Sequence, residues 1–261
     1  MPFTVSHAAA VLPFKRLSGG RLPMAALMIG SMAPDLPYFM PIGLERVVTH
    51  NLSGLFGFCW PASLFGWLLY VHFLERPTMA LLPDRWSAAF PPSDREVSWR
   101  TLAFASLAVL LGGATHIVWD SFTHNGSPVV AWLPILRSEI VSWHGHALHL
   151  YWVLQHLSSV IGLAILTVWA AVQVRRGHPA VDSPGDPGSG VPRLTPGQRL
   201  GAIGVLLVSS CVLALFGYLE HPHSRFDYRL FHTAVGGMAG WVFAWCAVAL
   251  MINLRSPPRR T

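Results

Sequence analysis

Five stretches of this chain are long and apolar enough to cross a bilayer, and no other feature limits its fold as much. They are Leu52–Leu74, Thr101–Asp120, Leu150–Val174, Leu200–Leu219 and Phe231–Leu254, each with few or no charges at its centre. A helical span needs about 20 apolar residues to cover roughly 30 Å of hydrocarbon. Charged residues make up only 11% of the 261 positions, whereas a soluble domain carries about 25%. Most of the surface therefore faces something other than water, and a water-soluble globular fold is set aside. The expected fold class is all-α: a polytopic transmembrane helical bundle with a short N-terminal helical hairpin and about five full spans.

The hairpin is read from the first 45 residues. Phe3–Phe14 is apolar but short, and Leu22–Phe39 is apolar but interrupted by Pro34, Asp35 and Pro37. Between them Lys15-Arg16-Leu17-Ser18-Gly19-Gly20-Arg21 reads as a basic turn. Pro34 and Pro37 are expected to end the second arm, since proline lacks the helical donor and clashes with the preceding turn. The start has no basic region ahead of its apolar stretch, so it does not read as a signal peptide. Glu75–Arg100 reads as a polar loop with Trp86 and Trp99 as interface anchors. Gly177–Gln198 is rich in Pro, Gly, Ser and Asp without periodicity, which is the composition of a flexible linker. The domain plan is a membrane domain over 1–174, a flexible cytoplasmic linker over 175–199, and a two-helix membrane segment with a basic tail over 200–261.

Charge then orients the chain. The hairpin turn, loop 75–100, loop 175–199 and the C-terminal tail share one side and hold fourteen of the 18 Lys and Arg residues. Arg46, Arg137, Arg225 and Arg229 are left for the other side. Basic loops mark the cytoplasmic face, so the basic loops and C-terminus are expected inside the cell, at a bacterial plasma (inner) membrane. The net charge is +6, but no basic stripe interleaves with aromatics, so nucleic acid is not an expected partner. The lipid bilayer is. Cys59, Cys211 and Cys246 lie in apolar runs with no paired spacing and read as small buried hydrophobes.

The same topology gathers most of the 13 histidines on the non-cytoplasmic side. His116 and Asp120 stand four residues apart at the end of a span, so they share a helix face. An imidazole and a carboxylate one turn apart suit Zn²⁺ or a similar divalent ion. The alternative is a hydrogen-bonded His–Asp pair that locks two helices. An ionisable pair at this depth is expensive in lipid and calls for a reason. His124 follows near the helix end, before the turn signal Asn125-Gly126-Ser127-Pro128. Asp35 sits on a rigid Pro34-Asp35-Leu36-Pro37 kink, either as a functional carboxylate or as a cap at a broken helix. Thr49-His50-Asn51 opens the first long span, where Asn51 fits an N-cap. His7, at the start of the hairpin, is expected near Asp35 at its end. Trp143–His149, with His144, His146 and His149, and Glu220–His223, with His221 and His223, are weaker histidine-rich signals.

Absent patterns narrow the reading further. The chain has no H-E-x-x-H, G-x-S-x-G, Walker loop or G-x-G-x-x-G, so serine-hydrolase and nucleotide-driven readings have no support. The cytoplasmic halves of the spans are nearly all apolar, which argues against a transporter.

The opening MPFTVSHAAAVLPFKR, then LPMAALMIGSMAPDLPYF, THNLSGL and GGATHIVWDSFTHNG, resemble the bacterial domain-of-unknown-function-4184 membrane family. That layout is in turn similar to the inner-membrane metal-dependent hydrolases that include the YdjM proteins. Those pair an N-terminal His, a Pro-Asp motif, a Thr-His motif and a His-x-x-x-Asp helix. Here these positions are His7, Pro34-Asp35, Thr49-His50 and His116/Asp120. The chain departs at Pro37, where those hydrolases often carry a second acid, and in reading Arg46-Val47-Val48 where they tend to show His-Arg-Gly. The resemblance implies a metal-dependent hydrolase with its site near the non-cytoplasmic face. One or two divalent ions, Zn²⁺ foremost, are expected on His7, Asp35, His50, His116 and Asp120, with His124 beside them. Asp35 and Asp120 are the expected bridging ligand or general base, and a lipid phosphoester or similar amphipathic molecule the expected substrate. The alternative function is a non-enzymatic membrane protein whose His/Asp cluster holds a structural metal or staples helices.

Overall fold

The computed structural model describes residues 4–39, 44–90, 93, 97–143, 146–176, 191–220, 222, 224 and 226–255. The fold is all-α, and five of its helical segments have the length and apolar composition to cross a membrane: Leu52–Leu81, Trp99–Trp132, Leu150–Arg176, Pro196–Leu219 and Tyr228–Arg255. Each contains one of the five expected spans. Two compact units divide the chain.

The first unit takes Met1–Pro37, Ile42–Trp67 and Val97–Ala171. It opens with a 3-10 turn, Thr4–His7, followed by α1, Ala8–Leu17, and α2, Met24–Met32. The hairpin turn between α1 and α2 needs two residues with positive φ, and Gly19 and Gly20 supply them. The prolines do not stop the second arm. Helical winding continues as a 3-10 turn, Ala33–Asp35, and a short α turn, Leu36–Phe39. Each proline falls in the first positions of its own short piece, where no backbone donor is required. The four-residue α3, Arg46–Thr49, leads to α4, Leu52–Leu81. Asn51 caps α4 through its side-chain oxygen, which accepts from Gly54 N at 2.8 Å, as its position suggests. α4 widens into π-helix over Leu55–Cys59 and Tyr70–Leu74.

The segment after Leu74 departs from the expected polar loop. Glu75–Leu81 extends the span helix, and α5, Asp84–Ala89, follows it. Met79, Ala80 and Leu81 are buried there, so local apolar burial overrides the polar average of the segment. α6, Trp99–Thr123, is capped by Ser98. The Asn125–Pro128 turn is present, with Gly126 at φ +80 and Ser127 capping α7, Pro128–Trp132. Next comes an unforeseen β-hairpin, β1 (Glu139–Trp143) against β2 (His146–His149), antiparallel with Glu139 opposite His149. His146 and His149 therefore sit on a strand. His144, His221, His223 and most of the expected linker lie outside the described residues. α8, Leu150–Arg176, completes the first unit and runs into the second.

Backbone contact organises the first unit. A Cβ on Gly30 would meet the Val109 backbone, and one on Gly112 would meet the backbone of Leu27, Gly30 and Ser31. Small residues let membrane helices approach this closely, so α2 and α6 touch main chain to main chain.

The second unit takes Tyr38–Pro41, Leu68–Glu96 and Val172–Thr261. Its principal pair is α9, Pro196–Leu219, and α10, Phe226–Arg255. Thr195 and Gln198 form a capping box at the start of α9. Gly217, Gly236 and Gly240 again put backbone against backbone. Leu81, Leu206, Ala244, Val248 and Ile252 form its apolar core. Of the three cysteines only Cys59 is buried; Cys211 is exposed on α9, and all three are free thiols.

Candidate metal centre

The close approach of α2 and α6 has a chemical consequence. It carries the Ser31 carbonyl to 2.7 Å from His116 Nδ1. A carbonyl only accepts, so Nδ1 carries the proton and donates. The other ring nitrogen, Nε2, then faces inward on a residue with no solvent exposure. His50 is fixed in the same way. Its Nδ1 lies 3.2 Å from Arg46 O and 3.0 Å from Thr49 Oγ1. Thr49 Oγ1 in turn donates to Pro34 O at 2.9 Å, which ties the Thr-His motif to the Pro-Asp motif. Histidines that ligate metals show this arrangement, with the far ring nitrogen donating to a carbonyl and the near one bare.

The bare nitrogens converge on two buried carboxylates. Asp35 Oδ1 lies 3.4 Å from His50 Nε2 and 3.6 Å from His116 Nε2. Asp120 Oδ2 lies 3.4 Å from His50 Nε2 and 3.5 Å from His116 Nε2. These separations are too long for hydrogen bonds. Yet one ligand atom from each of Asp35, His50, His116 and Asp120 lies within 4.8 Å of all the others. Nε2 of His7, His50 and His116 and Oδ1 of Asp120 are buried with no hydrogen-bond partner. Unsatisfied polar atoms are expensive inside a membrane bundle, and four of them at one point call for a shared partner. Two imidazoles and two carboxylates are a donor set for Zn²⁺ or a similar transition ion. The residues present thus fit a divalent metal.

His7 and His124 flank this set. The His7 ring stacks on His116 with centroids 3.8 Å apart, and its Nε2 lies 3.5 Å from Asp120 Oδ1. The hairpin therefore does bring His7 to the site, beside Asp120. Thr4 makes the contact with Asp35, donating to its Oδ2 at 2.7 Å. His124 presents Nδ1 to Asp120 Oδ2 at 3.4 Å, and its Nε2 lies 3.4 Å from the Gln155 amide. It backs the carboxylate from outside the converging four.

Two residues of the site escape a reading of motifs. Thr4 is one. The other is Arg46, whose Nη2 donates to Asp120 Oδ2 at 2.9 Å. Arg46 opens α3, three residues before Thr49, and the motif resemblance gives it no role in the site. Its charge beside an apolar span is the one signal that could have marked it.

A buried His₂Asp₂ cluster inside a largely helical unit, in a chain with five membrane-length helices among its described residues, marks a polytopic membrane protein with a candidate metal site. The chain belongs to the family described as Domain of unknown function (DUF4184), whose model matches residues 1–253. No curated protein and no solved structure matches it.

Proposed function

We propose that the chain is a metal-dependent hydrolase of the membrane, acting on a lipid or other phosphoester-type substrate near the non-cytoplasmic face. The observation that supports it best is the convergence of Asp35, His50, His116 and Asp120, with both histidines tied off at Nδ1. Zn²⁺ is the first candidate for the mixed nitrogen and oxygen set, ahead of Mn²⁺. The likeness of the motifs to the YdjM-type hydrolases points the same way. A divalent ion held there would lower the pKa of bound water to about 7, which would supply a nucleophile at neutral pH. The chain's own residues do the rest. Asp35, anchored by Thr4, and His50, His116 and Asp120 would hold the ion. Asp120 Oδ1 has no hydrogen-bond donor and is the proton acceptor on offer, while Arg46 fixes the other oxygen of the same carboxylate. The positive-inside reading puts the basic loops and C-terminus in the cytoplasm of a bacterial cell, with the centre towards the opposite face.

A second reading has its own support. Thr4 and Arg46 already occupy one oxygen each of Asp35 and Asp120, as they would in a polar helix staple or a closed structural site. Elemental mass spectrometry of the detergent-purified protein, beside a His116→Ala/Asp120→Ala double variant, separates these. The hydrolase reading expects stoichiometric Zn or Mn in the parent, lost in the variant, and phosphoester turnover by the loaded parent. Bound metal without turnover leaves a structural site. No metal in a folded, metal-supplied parent leaves the staple.

A further inference from the structure

We propose that Arg46 turns the mouth of the centre into an anion site for a phosphoryl group, making a phosphomonoester the substrate class. The inference rests on the metal reading above and adds a ligand contact that the metal ligands do not make. Arg46 bridges two environments. Its Nη2 is bonded to Asp120, a carboxylate with 3% of its side chain exposed, while the Arg46 side chain is 30% exposed. Its guanidinium makes no other bond among the described residues. Nε, Nη1 and the second N–H of Nη2 are therefore donors directed at no acceptor among those residues, which leaves one two-donor edge of the guanidinium, shared with Nη2, unspent. A planar fork with free donors is suited to a bidentate contact with an oxyanion.

Charge favours the same ligand. The carboxylates of Asp35 and Asp120 would balance one divalent ion held at the cluster. The cation of Arg46 is left over in a site largely closed to water, where electrostatic attraction is strong. The adjacent Glu45 is exposed and forms no ion pair with Arg46 among the described residues. A phosphoryl dianion has oxygens enough to face the ion and the guanidinium together.

The position is also held before any ligand arrives. Thr49 is tied to Pro34 O through its hydroxyl and accepts from Cys59 Sγ at 3.6 Å through its carbonyl. Gly54 packs its backbone against Val48 and Thr49. The short α3 is thus clamped at its C-terminal end, and Arg46 is presented from a fixed main chain. This preorganisation reduces the ordering cost of binding.

The test uses metal-loaded, detergent-purified full chain, with inorganic phosphate as probe and calorimetry as readout. Metal content is measured on every sample. The parent is expected to bind phosphate. Arg46→Gln should keep its metal and bind phosphate at least tenfold more weakly. Arg46→Lys should keep its metal and fall between, since it retains the charge but not the fork. Equal phosphate affinity in parent and Arg46→Gln overturns the proposal. So does displacement of phosphate by acetate at equal concentration, which would indicate a general carboxylate site. A metal-loaded parent that binds no phosphate overturns the anion site alone. A parent without metal overturns the hydrolase reading beneath it, and elemental analysis distinguishes the two failures. A short-chain phosphatidic acid that competes with phosphate, and more tightly, assigns a lipid headgroup as the source. Competition only by soluble phosphomonoesters assigns a free metabolite.

Discussion

The two compact units use one packing device and differ in what they do with it. In the first, Gly30 and Gly112 bring α2 and α6 into backbone contact. In the second, Gly217, Gly236 and Gly240 do the same for α9 and α10. Around the second contact the polar groups are partnered with one another and none of them faces a carboxylate cluster among the described residues. Ser210 donates to Gly237 O at 2.7 Å, and Trp245 Nε1 to Thr78 Oγ1 at 2.8 Å. Around the first contact the backbone itself becomes part of a site, because the Ser31 carbonyl orients His116. Close helix packing is thus a general solution for membrane helices. In the first unit the contact also fixes a polar side chain, the His116 ring, at its end.

The sharpest break of this comparison removes a carboxylate. Asp120→Ala should abolish nearly all bound metal, because Asp120 faces His7, His50, His116 and His124 at once. Asp84→Ala removes a carboxylate from the second unit, where it pairs with Arg199 at 3.2 Å with its own side chain 76% exposed, and should leave metal content unchanged. Equal metal content in the two variants, by elemental mass spectrometry, refutes the assignment.

The next effect separates packing from chemistry. Gly112→Ala places a Cβ against the backbone of Leu27 and Ser31, and Gly240→Ala places one against Ser209 and Ser210. Alanine gains up to about 1 kcal/mol in helix propensity, whereas overpacking costs about 1–3 kcal/mol, so both variants should lose stability. Only Gly112→Ala should also lose metal affinity, since it moves the carbonyl that orients His116. Thermal unfolding and metal titration, run on both, check this. Metal affinity that falls alike in both variants would mean that the site responds to global loosening and not to the α2–α6 contact.

Much of this architecture is legible in the amino-acid sequence. The five spans follow from length and apolar composition, and the His116/Asp120 pair from helical spacing. The convergence of Asp35, His50 and His7 on that pair depends on a hairpin and on a motif resemblance, and the fold brings all of them together. What stays hidden does so for physical reasons. The helical extension Glu75–Leu81 reads as polar by its average, but its apolar members are buried. The β-hairpin at Glu139–His149 has pairing that local sequence does not announce. Pro34 and Pro37 read as stops, yet each sits where a short helical piece begins. Thr4 and Arg46 act across 31 and 74 residues of sequence respectively, and no local pattern encodes such contacts.

A subtler variant tests the tie between the two site motifs. Thr49→Val keeps the shape of the side chain and removes the hydroxyl that links His50 to Pro34 O. Partners of this kind, behind a metal ligand, change affinity by about 10–100-fold. Because His50 Nδ1 keeps Arg46 O as an acceptor, the lower end, about tenfold, is expected from a metal titration of this variant. An unchanged affinity would mean that Arg46 O alone orients His50.

The smallest expected effect marks the boundary of the site. Asn51 adjoins His50 but turns its side chain to the helix end, where its oxygen accepts from Gly54 N and its amide donates to Val47 O. Loss of a cap costs about 1 kcal/mol, so Asn51→Ala should lower stability by that amount while metal affinity stays within twofold of the parent. The contrast is sharp because Asn51 is one residue from a candidate ligand and yet belongs to the helix, not to the cluster. A tenfold loss of metal in Asn51→Ala, with stability unchanged, would show that position along the chain, and not the direction of the side chain, decides which residues serve the centre.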